Sequence, residues 1–187
     1  MRLYIACGLT HVPRHKFSSY TEFIHQLAQA LQASGAEVRY ALKDSDPQLA
    51  QRPLSDRARL CYAWDREMVE WADAVIGEAT YASTGLGIEL QIATQKATPI
   101  ILCFQRKEEN RVAEAEYLNP DNTHHHLQIG EGYVTLMALG LPTIFKVVGY
   151  ATEDEAVQSI LHATTLITIQ QYNRTQSSQS TGDLGRV

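Results

Sequence analysis

The chain has 187 residues, of which 16 are Lys or Arg and 21 are Asp or Glu, giving a net charge of −5 with its seven histidines neutral. At 44% hydrophobic and 20% charged it has a globular composition, long enough to bury a core without disulfides or metals, and is not a disordered chain. The mild acidity and the lack of a Lys/Arg cluster exclude a dedicated surface for nucleic-acid polymers or anionic membranes. No apolar run approaches the roughly 18–20 residues of a membrane span.

The start, Met1-Arg2-Leu3-Tyr4-Ile5-Ala6-Cys7-Gly8, has too short an apolar run for a secretory signal. Cys7, Cys61 and Cys103 cannot all pair and lack metal-type spacing, so a reducing cytoplasm is the expected compartment. Leu3 to Cys7 reads as a buried first strand closed by Gly8. Phe17 to Ala33 carries a helical stripe of Phe23, Ile24, Leu27, Ala28, Ala30 and Leu31, ending at Ser34-Gly35. Ala36 to Leu42 reads as a second strand, and the polar run from Lys43 to Pro53, with two prolines, as a loop. Ser55-Asp56 offers an N-cap for a helix running to about Ala72.

A third strand is expected at Ala74 to Gly77, then the Ser83-Thr84-Gly85-Leu86-Gly87 turn and a helix from Leu86 to Lys96. Pro99 to Phe104 is a fourth, strongly apolar strand. Past Phe104 the pattern weakens: a helix over Glu108 to Tyr117, a turn at Asn119 to Asn122, a fifth strand from Thr143 to Val148, and a helix opening at Thr152 and ending near Ile167. The Ser/Gln/Thr-rich stretch from Gln171 to Val187 reads as a disordered polar tail, leaving one domain over residues 1–170. Strand–helix alternation with apolar strands is the grammar of a doubly wound parallel sheet covered on both faces.

In such a sheet, ligands bind beyond the carboxyl ends of the strands. Three places with unusual residues reach that edge: Cys7-Gly8, Ser83 to Glu89 and, less obviously, Asp65. Glu89 falls in the first turns of its helix, where free N–H groups and the positive dipole end favour a carboxylate. The plain reading is a surface Glu after a Gly-rich turn, and Gly85-Leu86-Gly87 is not a dinucleotide fingerprint. Asp65 is more telling. At about 100° per residue it lies roughly 40° from Cys61 on the apolar face shared with Met68, Val69 and Ala72. A carboxylate on a buried stripe must be paired, hydrogen-bonded or facing a cleft. Tyr4, near the end of the first strand, either packs in the core or orients a carboxylate across the crevice. Two carboxylates and a tyrosine at one crevice suit attack on an acetal-type carbon, as in a glycosidic or N-glycosidic bond. The triplet His124-His125-His126 reads as a solvated loop, and Trp64 and Trp71, seven apart, as helix packing.

Tyr4-Ile5-Ala6-Cys7-Gly8, Asp65, Ala72-Asp73-Ala74-Val75-Ile76 and Ser83-Thr84-Gly85-Leu86-Gly87-Ile88-Glu89-Leu90 together resemble the nucleoside 2-deoxyribosyltransferase family, which includes the 2′-deoxynucleoside 5′-monophosphate N-glycosidases. The likeness covers about residues 2 to 104. It implies a flavodoxin-like (Rossmann-like), doubly wound, mainly parallel five-stranded sheet in three αβα layers. It further implies Glu89 as the nucleophile at the anomeric carbon, Asp65 at the leaving base and Tyr4 holding Glu89. Gly8, Ser83, Gly85 and Gly87 would line the substrate, with Ser83 at the position that holds a 5′-phosphate in the monophosphate hydrolases. No metal or other cofactor is implied. The partner is a small nucleoside or nucleotide, and a homodimer or higher homo-oligomer is expected.

The run Gly8-Leu9-Thr10-His11-Val12-Pro13-Arg14 departs from the family's phosphate-binding loop, so the need for a phosphate stays open, as does hydrolysis against transfer. Rival readings are a non-catalytic nucleotide sensor on the same fold and a cytokinin-riboside-monophosphate-type phosphoribohydrolase, whose Pro-Gly-Gly-x-Gly-Thr turn Ser83 to Gly87 matches poorly. A plain interaction module is favoured if residues 120–140 close the crevice.

Overall fold

Leu3, Tyr4, Ile5 and Ala6 are all fully buried, as a strand covered on both faces requires. They belong to β1 (Arg2–Cys7). The computed structural model describes residues 1–182 of the chain. After β1 comes α1 (Phe17–Ala33), which buries Tyr20, Phe23, Ile24, Leu27, Ala28 and Leu31 on one stripe. It ends through Gly35, whose φ of +90° is one that side-chain-bearing residues rarely adopt. Then follow β2 (Glu37–Tyr40), α2 (Ala41–Asp44), α3 (Asp46–Leu49), α4 (Leu54–Trp71), β3 (Ala74–Glu78), α5 (Thr84–Gln95) and β4 (Ile100–Gln105). The last part holds β5 (Glu116–Leu118), β6 (His124–His126), α6 (Leu136–Leu139), β7 (Ile144–Tyr150) and α7 (Glu153–Gly182).

The main sheet runs β2-β1-β3-β4-β7 with every pairing parallel. It is the five-stranded, three-layer α/β arrangement expected. One core joins the sheet to α1 and α7, and a second joins it to α4 and α5. Strand order reverses between β1 and β3, so their carboxyl ends open the crevice where this fold places ligands.

Several local expectations are corrected. Residues 43–53 contain helical turns rather than a plain loop, because Pro47 sits in the first turn of α3, where a missing N–H is no loss. Pro53, not Ser55 or Asp56, takes the N-cap of α4, and Asp56 lies in the first turn against the positive dipole end. The stretch from Glu108 to Tyr117 forms a 3-10 turn at Glu108–Asn110 and then β5, paired antiparallel to β6. Its Glu/Ala composition favours helix, but pairing with His124–His126 overrides that weak preference. The connecting turn is the one expected, with Asn122 at φ +63°, a value Asn tolerates. The polar tail is corrected over 171–182: α7 continues to Gly182, growing from a docked base in which Ala156, Ile160, Ala163 and Ile167 are buried. Gln and Arg are good helix formers that need no apolar stripe to extend such a base. The rest of the expected tail, 183–187, lies outside the described residues.

At the carboxyl end of β3, on the α1/α7 side, stands a carboxylate that no periodicity announces. Glu78 is completely buried. Tyr20 Oη donates to it at 2.5 Å and Tyr150 Oη at 2.9 Å, and the Thr80 hydroxyl and backbone N–H donate as well. Burial pushes its carboxyl above the usual range, and these hydrogen bonds oppose the push. Removing the acceptor strands three hydroxyls and an amide. Glu78→Ala is therefore expected to cost about 3–5 kcal/mol in denaturant unfolding, whereas a loss under about 0.5 kcal/mol would mean that the network contributes nothing to stability.

Candidate active site

The site is built where β1 and β3 hand over to their helices. Ser83 takes the N-cap of α5 in extended conformation, and its Oγ accepts the Leu86 N–H at 3.2 Å. One turn further, Glu89 points back toward that helix end and over the sheet, the direction helical side chains take. It is 9% exposed, so the surface-Glu reading does not hold. Beneath it, the fully buried Tyr4 rises from β1, and its Oη donates to Glu89 Oε1 at 2.5 Å. Tyr4 thus does both things considered for it, packing its ring in the core and fixing a carboxylate with its hydroxyl.

Burial pushes the Glu89 carboxyl up to about 8. The Tyr4 hydrogen bond pulls against that shift, and the nearby charge of Asp65 adds to it.

Asp65 projects from α4 into the same cavity, which measures about 370 Å³. Ser45 Oγ donates to Asp65 Oδ1 at 2.8 Å, and Cys61 Sγ to Oδ2 at 3.3 Å. Thr10, Ser45, Ser83, Gly85 and Ile88 also line the space. Cys7 and Cys61 border it, and burial is the main force holding both thiols above their ordinary range, Cys61 at about 12. Neither supplies a thiolate near neutral pH.

The expected residues do not all converge. Tyr4, Asp65, Glu89, Ser83 and Gly85 do. Gly8 does not line the cavity. Its close approach is to protein, since a Cβ there would stand 2.7 Å from Ser83 Cβ and 2.9 Å from the Tyr81 carbonyl oxygen. Its lack of a side chain lets the 81–83 loop close onto β1. Gly87 faces away, into a second hollow of about 380 Å³ lined by His11, Tyr81 and Tyr133, because two helical steps from Gly85 turn it by about 200°. Ser83 borders both spaces. Trp71 packs against the core on the α4/α5 side, as expected of helix packing, with Arg39 over its ring at 4.5 Å, and Arg52 lies over Trp64 at 6.0 Å. The three histidines stand exposed on β6, where the His125 ring stacks on Tyr117. None of residues 120–140 lines the carboxylate cavity, so this segment leaves the crevice open.

Ser45 and Cys61, which hold Asp65, were not anticipated. The signal for Ser45 lies in Asp44-Ser45-Asp46-Pro47, a helix-start pattern inside a stretch read as loop. Ser45 is indeed the N-cap of α3, but its hydroxyl is spent on Asp65 rather than on the helix.

Fold and site together describe a doubly wound α/β protein with paired carboxylates at its switch point. In structure the chain is similar to the CMP N-glycosidase BcmB of Clostridium botulinum, with 18% identity over 86% of this chain and 97% of that one and a TM-score of 0.52. A conserved protein from Enterococcus faecalis V583 is alike at 14% identity, the same coverages and a TM-score of 0.51. A 2-deoxyribosyltransferase from Bacillus psychrosaccharolyticus matches at 23% identity over 56% of this chain and 72% of that one, with a TM-score of 0.41. No protein-family model matches the chain, and no curated protein matches its sequence. At these identities the likeness to the first two structures establishes a shared fold. Among the described residues no helix is long and apolar enough to cross a membrane.

A carboxyl held at about 8 in the folded chain and near 4.5 when unfolded keeps its proton on folding and loses it on unfolding across that interval. Its contribution therefore turns against the fold as pH rises from about 4.5 to 8. Glu89→Gln removes the charge. The variant is expected to melt above the parent by several degrees at pH 9 and by little at pH 4, as read by differential scanning fluorimetry; a gap independent of pH would contradict the assignment.

Proposed function

We propose that this chain cleaves the N-glycosidic bond of a nucleoside or nucleoside 5′-monophosphate through Glu89, releasing the free base. The observation that carries the reading is the short Tyr4–Glu89 hydrogen bond facing Asp65 across one small cavity. The fold shared with the CMP N-glycosidase BcmB supports it, as does the sequence resemblance over Asp65 to Glu89.

In the first step the ionised Glu89 attacks the anomeric carbon. The carbon–nitrogen bond breaks with its electron pair leaving on the base, and a proton reaches that nitrogen by way of Asp65. Tyr4 Oη keeps one Glu89 oxygen occupied, so that the other faces the sugar. In the second step water adds to the anomeric carbon, the glycosyl ester breaks, and Glu89 is regenerated; water is the one reagent consumed. A second base in place of water gives sugar transfer. Hydrolysis is the favoured outcome, because the short first loop and Ser83 are closer to the hydrolase branch of the family. Assembly into a homo-oligomer belongs to the same reading and is supported by the exposed apolar Tyr62 and Ile88 at the cavity's edge. Residence in the cytoplasm is supported by three unpaired cysteines.

Incubation with nucleosides and 5′-monophosphates, with and without a second base, tests the proposal by chromatography of free base and exchanged nucleoside. Glu89→Ala should lower base release by about 10³-fold or more while still binding substrate. Asp65→Asn should lower turnover far more than melting temperature. Base release that survives in Glu89→Ala would remove the nucleophile, and binding without any release in the parent would favour the sensor reading.

The pH profile is a separate check. Attack needs the ionised carboxylate, so kcat/KM should climb with pH and level off above about 8. Because the Tyr4 hydrogen bond favours the ionised form, Tyr4→Phe should move that inflection to higher pH and lower kcat/KM by about 10–100-fold near neutrality. An unmoved inflection would detach Tyr4 from Glu89.

A further inference from the structure

We infer that Ser45 is a positioning residue of the proposed reaction, holding Asp65 toward the reacting bond with a hydroxyl that its own helix leaves free. The inference rests on the function proposed above and deepens it. An N-cap serine ordinarily accepts from the N–H of the second or third helical residue. In α3 the second residue is Pro47, which has no N–H. The third is Gln48, whose N–H goes to the Ser45 carbonyl at 3.1 Å, as does that of Leu49 at 3.0 Å. The Ser45 amide closes α2 on the Ala41 carbonyl at 3.2 Å. Both backbone groups of Ser45 are thus committed, and the residue is 1% exposed. Its hydroxyl is left to donate to Asp65 Oδ1 at 2.8 Å, across 20 residues of chain.

Asp65 needs such a tie. It is half-buried on α4, where an aspartate has several staggered rotamers to choose from. Its other partner, Cys61, stands one turn back on the same helix, so that contact moves with α4. Among the described residues, Ser45 is the donor that reaches Asp65 from another element. It sets the carboxylate against the rest of the cavity. Through α2 it also refers that position to the end of β2, where the Tyr40 N–H donates to Asp44 Oδ2 at 3.0 Å. A catalytic group misplaced by about 1 Å can cost on the order of 10²-fold in rate. Ser45 can act on that scale through Asp65 alone.

The test follows base release by Ser45→Ala and Ser45→Thr across pH, with melting temperature as the measure of folding. Ser45→Ala should lower kcat by about 10–100-fold and leave KM within about threefold. Ser45→Thr keeps the hydroxyl and should recover most of the loss. Glu89 shares the cavity with Tyr4 and Cys7 of β1, Asp46 of α3, and Cys61, Asp65 and Arg66 of α4, the last engaged by Glu70 and Tyr62. Of these, Asp65 is the group that Ser45 holds, and its charge raises the Glu89 carboxyl. Letting it turn away should move the inflection of kcat/KM to lower pH, opposite to the shift expected of Tyr4→Phe.

A raised KM at unchanged kcat would make Ser45 a substrate contact. A loss of rate matched by a loss of folded protein, with Ser45→Thr no better, would make its role structural. Either result, like a parent-level kcat or an unmoved inflection in Ser45→Ala, overturns the inference and leaves the proposed function standing. A parent that releases base from no nucleoside or monophosphate overturns both.

Discussion

The structure turns on one buried hydrogen bond, that between Tyr4 Oη and Glu89 Oε1. An ionised carboxylate out of water is costly unless donors surround it, and Glu89 has one strong donor and a neighbouring negative charge. The partners arrive from elements 85 residues apart in sequence. Their meeting therefore depends on the register of β1 against β3, in which Tyr4 stands beside Val75 and Cys7 beside Glu78. That register places the end of β1 under the helix that follows β3. Without it the two groups would still exist in the chain but would not form a site.

The sheet separates two acidic centres with opposite environments. On the α1/α7 side, Glu78 accepts from two tyrosines and from both the hydroxyl and the amide of Thr80, and it is sealed from solvent. On the α4/α5 side, Glu89 accepts from one tyrosine and opens onto a cavity. A carboxylate with its acceptor sites filled serves architecture, holding the 79–83 loop to the strand ends. One left partly unsatisfied at a cavity wall retains reactivity. The first centre supports the second: Thr80 and Tyr81 lead directly to Ser83, and Tyr81 packs edge-on against Tyr20, a donor to Glu78.

Much of this could be read in the residues, and the reason is physical. Strands covered on both faces must be continuously apolar, which made β1, β3 and β4 visible, and the α1 stripe follows from helical period. Asp65 could be found because a charge on an apolar stripe conflicts with burial. Glu78 could not, since Ala74 to Gly77 reads as a finished strand and nothing local shows that its next residue faces two tyrosines contributed by α1 and β7. The second support of Asp65 was hidden for the same reason, because Ser45 belongs to a polar stretch whose helical turns are held by contacts distant in sequence. Gly8 and Gly87 show the converse limit. A glycine signals a close approach or an open helix start, but not whether the neighbour is a ligand or another part of the chain. Over 108–118, local composition argued for helix, and pairing with a strand eight residues further on decided otherwise.

The raised Glu89 carboxyl involves a trade that the rest of the cavity helps to settle. Basicity gained by burial makes the ionised group a better nucleophile but leaves less of it ionised near neutral pH. A cation beside it would restore ionisation at the cost of basicity. The cavity uses a neutral donor instead, because a tyrosine hydroxyl steadies the anion without cancelling its charge. The second carboxylate acts in the opposite sense: Asp65 keeps the local field negative and takes its own hydrogen bonds from a hydroxyl and a thiol. In the proposed reaction, an anomeric carbon that gains positive character as its base departs would be stabilised by such a field.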